Sequence, residues 1–151
     1  MAHFQSLNPA TDEVVAEHEI FTKDAVDGAV KVAHGATGEW QALGYRGRKR
    51  VLNNWNRVIK NRAEDFAQLI AHETGKPIGD ARLEVSVAIS HLSWAAEKAS
   101  FYLKDQQRKP GILMFNMAAK VQRVPLGVVG VIGPWNYPMF TPMGSIAYAL
   151  A

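Results

Sequence analysis

Cysteine is absent from all 151 residues. That removes a disulfide framework, a thiolate metal site and a thiol nucleophile from this polypeptide. Long hydrophobic runs are missing as well. No apolar stretch approaches the ~20 residues that a membrane-spanning helix requires, and the N-terminus has no basic segment followed by an apolar core and cleavage site. A soluble, cytoplasmic protein is therefore expected. Charge of one sign is only mildly in excess, with a net +3 that centres on Arg46, Arg48, Lys49, Arg50, Arg57, Lys60 and Arg62. Such a segment admits a nucleic-acid face, but it lacks the interleaved exposed aromatics of single-strand binders, and a solvated basic helix face is the expectation. The histidines at 3, 18, 34, 72 and 91 form no pair at ligand spacing, so no zinc site is expected. Repeats, low-complexity tracts and linker-like breaks are also missing, and an apolar share of 48% is that of one ordinary globular unit.

What the chain does hold centres on Val124 to Pro138, VPLGVVGVIGPWNYP. Val128 to Ile132, bounded by Gly127 and Gly133, is written like a strand buried on both faces of a parallel sheet. Gly133-Pro134 cannot continue a ladder, and Pro138 bars helix at the residue before it, so Trp135-Asn136-Tyr137 is expected in a tight loop at the carboxyl end of that strand. Ligands bind at such ends in open α/β sheets. Met139 to Ala151, rich in small residues, reads as the helix that follows.

Upstream, Val14 to Ile20 reads as one or two short strands. Thr22 offers an N-cap with Asp24 in the first turn, opening an amphipathic helix on Val26, Ala29, Val30 and Ala33 that ends near Gly35. Trp40 and Leu43 are expected to plug a core edge. A second helix opens near Tyr45, with Val51, Leu52, Trp55, Val58 and Ile59 in one inward stripe, and a third runs from about Glu64 to Thr74, closed by Gly75 in the left-handed conformation. From Ile78 to Tyr102 the longest periodic pattern places Ala81, Val85, Ala88, Leu92, Ala95 and Ala99 on one face, with Trp94 and Phe101 expected in the core. Ile112 to Phe115 and Lys120 to Val124 read as two more strands.

The IGPWNYP segment after a Gly-Val-rich strand resembles the aldehyde dehydrogenase superfamily, which carries Pro-Trp-Asn or a similar tripeptide there. The resemblance spans the chain, from Asn8-Pro9-Ala10-Thr11 through Glu73-Thr74-Gly75-Lys76-Pro77 to the last helix, and fits the N-terminal portion of such an enzyme. It implies an α/β fold class: an incomplete N-terminal part of a doubly wound dinucleotide-binding domain, with several helices and a β-hairpin of an oligomerisation sheet. Residues 1–151 then form a single incomplete unit, 112–124 hold oligomerisation-type strands, and 125–151 begin the cofactor-binding sheet. The implied reaction is oxidation of an aldehyde to a carboxylic acid with NAD or NADP, through a thiohemiacetal on a cysteine that lies outside this chain. The general-base glutamate is likewise implied to lie outside it, so the chain alone is expected to be inactive. Asn136 matches the family's oxyanion donor, a role suited to an amide that donates without titrating. Read without the motif, Asn136 is a turn residue. Ile132, Gly133, Pro134 and Trp135 match the segment lining the dinucleotide cleft. The wording PLGVVGVIGPWNYP leans toward semialdehyde-oxidising or broad-range branches, and a homo-oligomer or a full-length homologue is the implied partner.

Other constellations fail on spacing. HETGK lacks the second histidine of HExxH, GVVGVIG does not open a helix, and Ser145 in MGSIA lacks the second glycine of GxSxG, which leaves a helix-packing serine. Ala149-Leu150-Ala151 carries no closing residue, so the chain is expected to end within an element. The competing function class is a non-catalytic module that docks onto a full-length homologue through the strands near Ile112 to Val124.

Overall fold

The computed structural model describes residues 2–151. Five helices carry the frame: α1 (Lys23–Ala42), α2 (Gly44–Asn61), α3 (Ala63–Thr74), α4 (Ile78–Leu103) and α5 (Phe140–Leu150). Four strands, β1 (His3–Leu7), β2 (Val14–Glu19), β3 (Gln106–Arg108) and β4 (Ala119–Val121), pair as two separate antiparallel sheets, β1 with β2 and β3 with β4. The class is mixed α/β.

The small-residue stripe of α4 makes it the central element. Ala81, Val85, Ala88, Leu92 and Ala95 are all essentially buried, and alanines at these positions let neighbouring helices approach closely. Leu52 and Ile59 of α2 meet Ala88 and Leu92 of α4 and Met143 and Ala147 of α5 in one cluster. Ala67 and Ile70 of α3 close on Ala81 and Val85 in a second. Phe66, Ile89 and Met139 border both clusters and join them.

Two helix boundaries follow the sequence closely. The Thr22 hydroxyl accepts from the Ala25 N–H at 3.2 Å and caps α1. Gly75 sits at φ 70° and its N–H returns to the Ala71 carbonyl, closing α3 as expected. A Cβ at Gly75 would also stand 2.8 Å from Pro9 Cγ. Glycine is thus required there for both conformation and space. The Ser6 hydroxyl, 3.0 Å from Glu73 Oε1, fastens the β1–β2 hairpin to the same corner.

The structure departs from several expectations. Helix α1 continues through Gly35 and Gly38 to Ala42 and has no buried residue, leaving Val26 and Val30 half-exposed. A lone glycine costs a helix about 1 kcal/mol and does not end it without a closing turn. On α2, Val51 and Val58 are exposed and Asn56 is buried in their place, because the buried face is centred on Leu52, Asn56 and Ile59 at four- and three-residue steps. Trp94 and Phe101 are exposed on α4, where Trp94 stacks on Tyr102 instead of entering the core. Ser145 is exposed on α5 and packs against no core.

The strand expectations shift most. Ile112–Met114 is a 3-10 turn, and β4 finds its partner in Gln106–Arg108, a polar segment with no alternating apolar pattern. Residues 128–132 pair with no strand among the described residues, and Ile132 is almost fully exposed. An apolar run becomes a sheet strand only where neighbours accept its ladder, and none of the described residues offers one.

Candidate functional site

The Gly133-Pro134 break does what its composition dictates. Residues 135–136 form a turn, Pro138 and Met139 a second, and α5 opens at Phe140. Asn136 lies on the exposed surface of this double turn. With Trp135, Tyr137 and Phe140 on one side and Lys76, Glu84 and Val87 on the other, it lines a cavity of about 440 Å³. That is within the usual range for small-molecule sites. Among the described residues the hydrogen bond found at Asn136 is to its main-chain carbonyl, and none engages its carboxamide.

The turn is attached to the helical core through one charged couple. Glu84, three residues after Ala81, falls on the buried face of α4, and its side chain is fully buried. Its Oε1 accepts from the backbone N–H groups of Met139 at 2.9 Å and Phe140 at 3.1 Å. Met139 is the N-cap residue of α5 and supplies no side-chain cap of its own, so a carboxylate from another helix satisfies the donors of the first turn. The other oxygen, Oε2, lies 2.5 Å from Lys76 Nζ. Lys76 also donates to the Asn136 carbonyl at 2.8 Å and stands 4.3 Å above the Tyr137 ring.

Of the residues singled out in the sequence, Trp135 and Asn136 reach the cavity rim. Ile132 and Trp135 are 97% and 82% exposed, and of the two only Trp135 lines the cavity. Gly133 faces Pro142: a Cβ there would come within 3.0 Å of the Pro142 ring, so helix packing alone explains the glycine. Lys76 and Glu84 were not assigned a role from the sequence. Glu84 had left a trace, being the one acidic residue on the apolar stripe of α4. Lys76 appears in sequence only as the residue before a helix-breaking proline.

Part of the basic segment around α2 is drawn into the molecule's own contacts. Arg48 donates to the Ala151 carbonyl, Lys49 pairs with Glu97 and Arg62 with Asp65. Among the described residues no group of three or more potential metal ligands is found, and no helix is long and apolar enough to cross a membrane.

A cavity edged by an asparagine on a proline-bracketed turn, at the head of a helix packed on a helical core, defines a class of small-molecule site. Comparison with known proteins gives the family. The model of the aldehyde dehydrogenase family matches residues 1–151, and the chain belongs to that family. It is 34% identical over 148 residues to a probable succinate-semialdehyde dehydrogenase [NADP(+)] of Sinorhizobium fredii, covering 98% of this chain and 30% of that protein. Malonate-semialdehyde dehydrogenase 1 of Shouchella clausii is likewise 34% identical, over 96% of this chain and 29% of its own length. The crystal structure of aldehyde dehydrogenase 21 from Physcomitrella patens, in complex with the reaction product succinate, superposes with a TM-score of 0.90 at 30% identity, over 99% of this chain and 31% of that one. The chain spans about 30% of the length of the relatives it matches.

The chemistry of residues 132–138 is compatible with the uncharged end of a nicotinamide dinucleotide rather than with its phosphates. Ile132 to Trp135 offer an exposed, uncharged, apolar edge suited to the face of a nicotinamide ring, whereas no cation lies within 132–138 to meet a pyrophosphate.

Proposed function

We propose that this chain supplies the oxyanion-donor part of an NAD(P)-dependent aldehyde dehydrogenase, with the Asn136 carboxamide steadying the oxygen that becomes negative when a thiolate attacks the aldehyde carbon. The observation that carries the reading is the placement of Asn136: exposed, its carboxamide unengaged, on the rim of a cavity of about 440 Å³. A donor placed in advance where charge develops is worth about 3 kcal/mol in the transition state. The bound dinucleotide supplies the hydride acceptor. Ile132, Gly133, Pro134 and Trp135 border its nicotinamide end, with Trp135 walling that end from water, and the unpaired run 128–132 joins the sheet on which it rests once partner strands are supplied.

The chain has no cysteine, so the thiol has to come from elsewhere; the general-base glutamate is assigned elsewhere on the family resemblance alone. The substrate class we favour is a semialdehyde, in keeping with both the IGPWNYP segment and the names of two relatives. The test is direct: purified chain with NAD or NADP and short semialdehydes, followed by absorbance of the reduced cofactor. No sustained turnover is expected, and turnover above buffer would overturn the division of labour proposed here.

A second reading concerns assembly. Beside the β3–β4 hairpin, Ile112, Leu113 and Phe115 are 92%, 94% and 86% exposed. Apolar exposure next to unpaired strand edges favours docking onto another copy or a full-length homologue. Co-purification with such a homologue, lost when Ile112, Leu113 and Phe115 are replaced by serine, is the expected outcome.

A further inference from the structure

We propose that Lys76 and Glu84 act together as positioning residues that fix the Asn136 turn; the inference rests on the role just assigned to Asn136. The turn has little else to hold it. Pro134 and Pro138 narrow its backbone freedom but have no N–H to give, and the Asn136 carbonyl is bonded by a side chain 60 residues earlier in the sequence. Glu84 is the fixed point. Its side chain is fully buried between core residues Ala81, Val85 and Ala88 on α4, and one carboxylate reaches both sides of Pro138. On the far side it binds the Met139 and Phe140 N–H groups directly. On the near side it acts through the Lys76 ammonium, which bonds the Asn136 carbonyl and covers the Tyr137 ring.

The couple is built for holding and not for proton transfer. The three directions of the ammonium are taken by Glu84, the Asn136 carbonyl and the Tyr137 face, and the carboxylate is taken by Lys76 and two backbone donors. Each partner needs the other. Removing the lysine leaves a buried carboxylate without its cation, and removing the carboxylate charge leaves the ammonium drawn toward water and away from the turn. Because the bond is to the Asn136 main chain, it sets the position of the residue while leaving its carboxamide free to donate.

The test is 15N relaxation on the full chain, comparing wild type with Lys76→Met, Lys76→Arg and Glu84→Gln. In wild type, order parameters at Asn136 and Tyr137 should lie in the rigid range, near about 0.85. Lys76→Met should lower both below about 0.6, the flexible range, and leave Met139 and Phe140 unchanged, because Glu84 still caps them. Lys76→Arg should restore the turn. If Lys76→Met does not fold, Glu84→Gln carries the test: it keeps an acceptor for Met139 and Phe140 but releases Lys76, and should loosen Asn136 and Tyr137 alone. The proposal is overturned if these two residues stay rigid in the variants, or if order is lost evenly over the turn and α5 in Lys76→Arg too. Neither result touches the donor role of Asn136, which is decided by kinetics.

Discussion

Gly75 combines two demands in one position, a positive φ and a 2.8 Å approach to the Pro9 ring. Gly75→Ala should therefore lower stability by more than about 1 kcal/mol, read as a shifted urea midpoint with unchanged slope. This glycine was legible because a left-handed helix end leaves a one-residue signature. The turn at Asn136 was legible for a similar reason, since the prolines that bracket it force one. The Lys76–Glu84 couple was not, since no local period links residues 76, 84 and 136. Only the misplaced charge on the α4 stripe hinted at it. A different residue-scale outcome is expected at Asn56, whose Nδ2 bonds Ser93 while its buried Oδ1 has no partner. Asn56→Leu with Ser93→Ala should be neutral or stabilising by chemical denaturation, because the buried, half-satisfied amide and its half-buried partner are removed together.

At the scale of elements, α4 bears most of the packing. Leu92 is fully buried between α2 and α5, and Leu92→Ala should cost about 2–5 kcal/mol in a denaturant titration. Ala88 lies in the same seam, where Ala88→Leu should cost about 1–3 kcal/mol by forcing the helices apart. Helices were the readable part of the chain: their faces are set by local spacing, and α3 and α4 fall within a residue of their expected bounds. Strands were not. Residues 128–132 carry an apolar run suited to a sheet, yet a ladder depends on partners that no local pattern can supply. The β3–β4 pair runs the other way, with Gln106–Arg108 entering a sheet despite a polar sequence.

Across the whole molecule, two exposed ion pairs add a small pH-dependent contribution to stability. The Arg82 guanidinium bonds Glu64 and holds its carboxyl below the ordinary value of 4.5; Lys49 does the same to Glu97. Both groups bind protons more weakly folded than unfolded, so their contribution is fully present above about pH 4.5 and is lost as pH falls through the lowered values. Arg82→Gln should flatten the decline in unfolding midpoint below that pH, and, both side chains being exposed, salt should have the same effect. The same scale holds the functional account: a family chain spanning about 30% of its relatives, with an asparagine on a cavity rim and no thiol of its own.

The most direct measurement is the turnover of Asn136→Ala beside wild type, in an assembly that supplies the nucleophilic cysteine. Loss of a donor used only in the transition state predicts a fall in kcat of about 10²–10³ with KM little changed. A kcat within about twofold of wild type would contradict it.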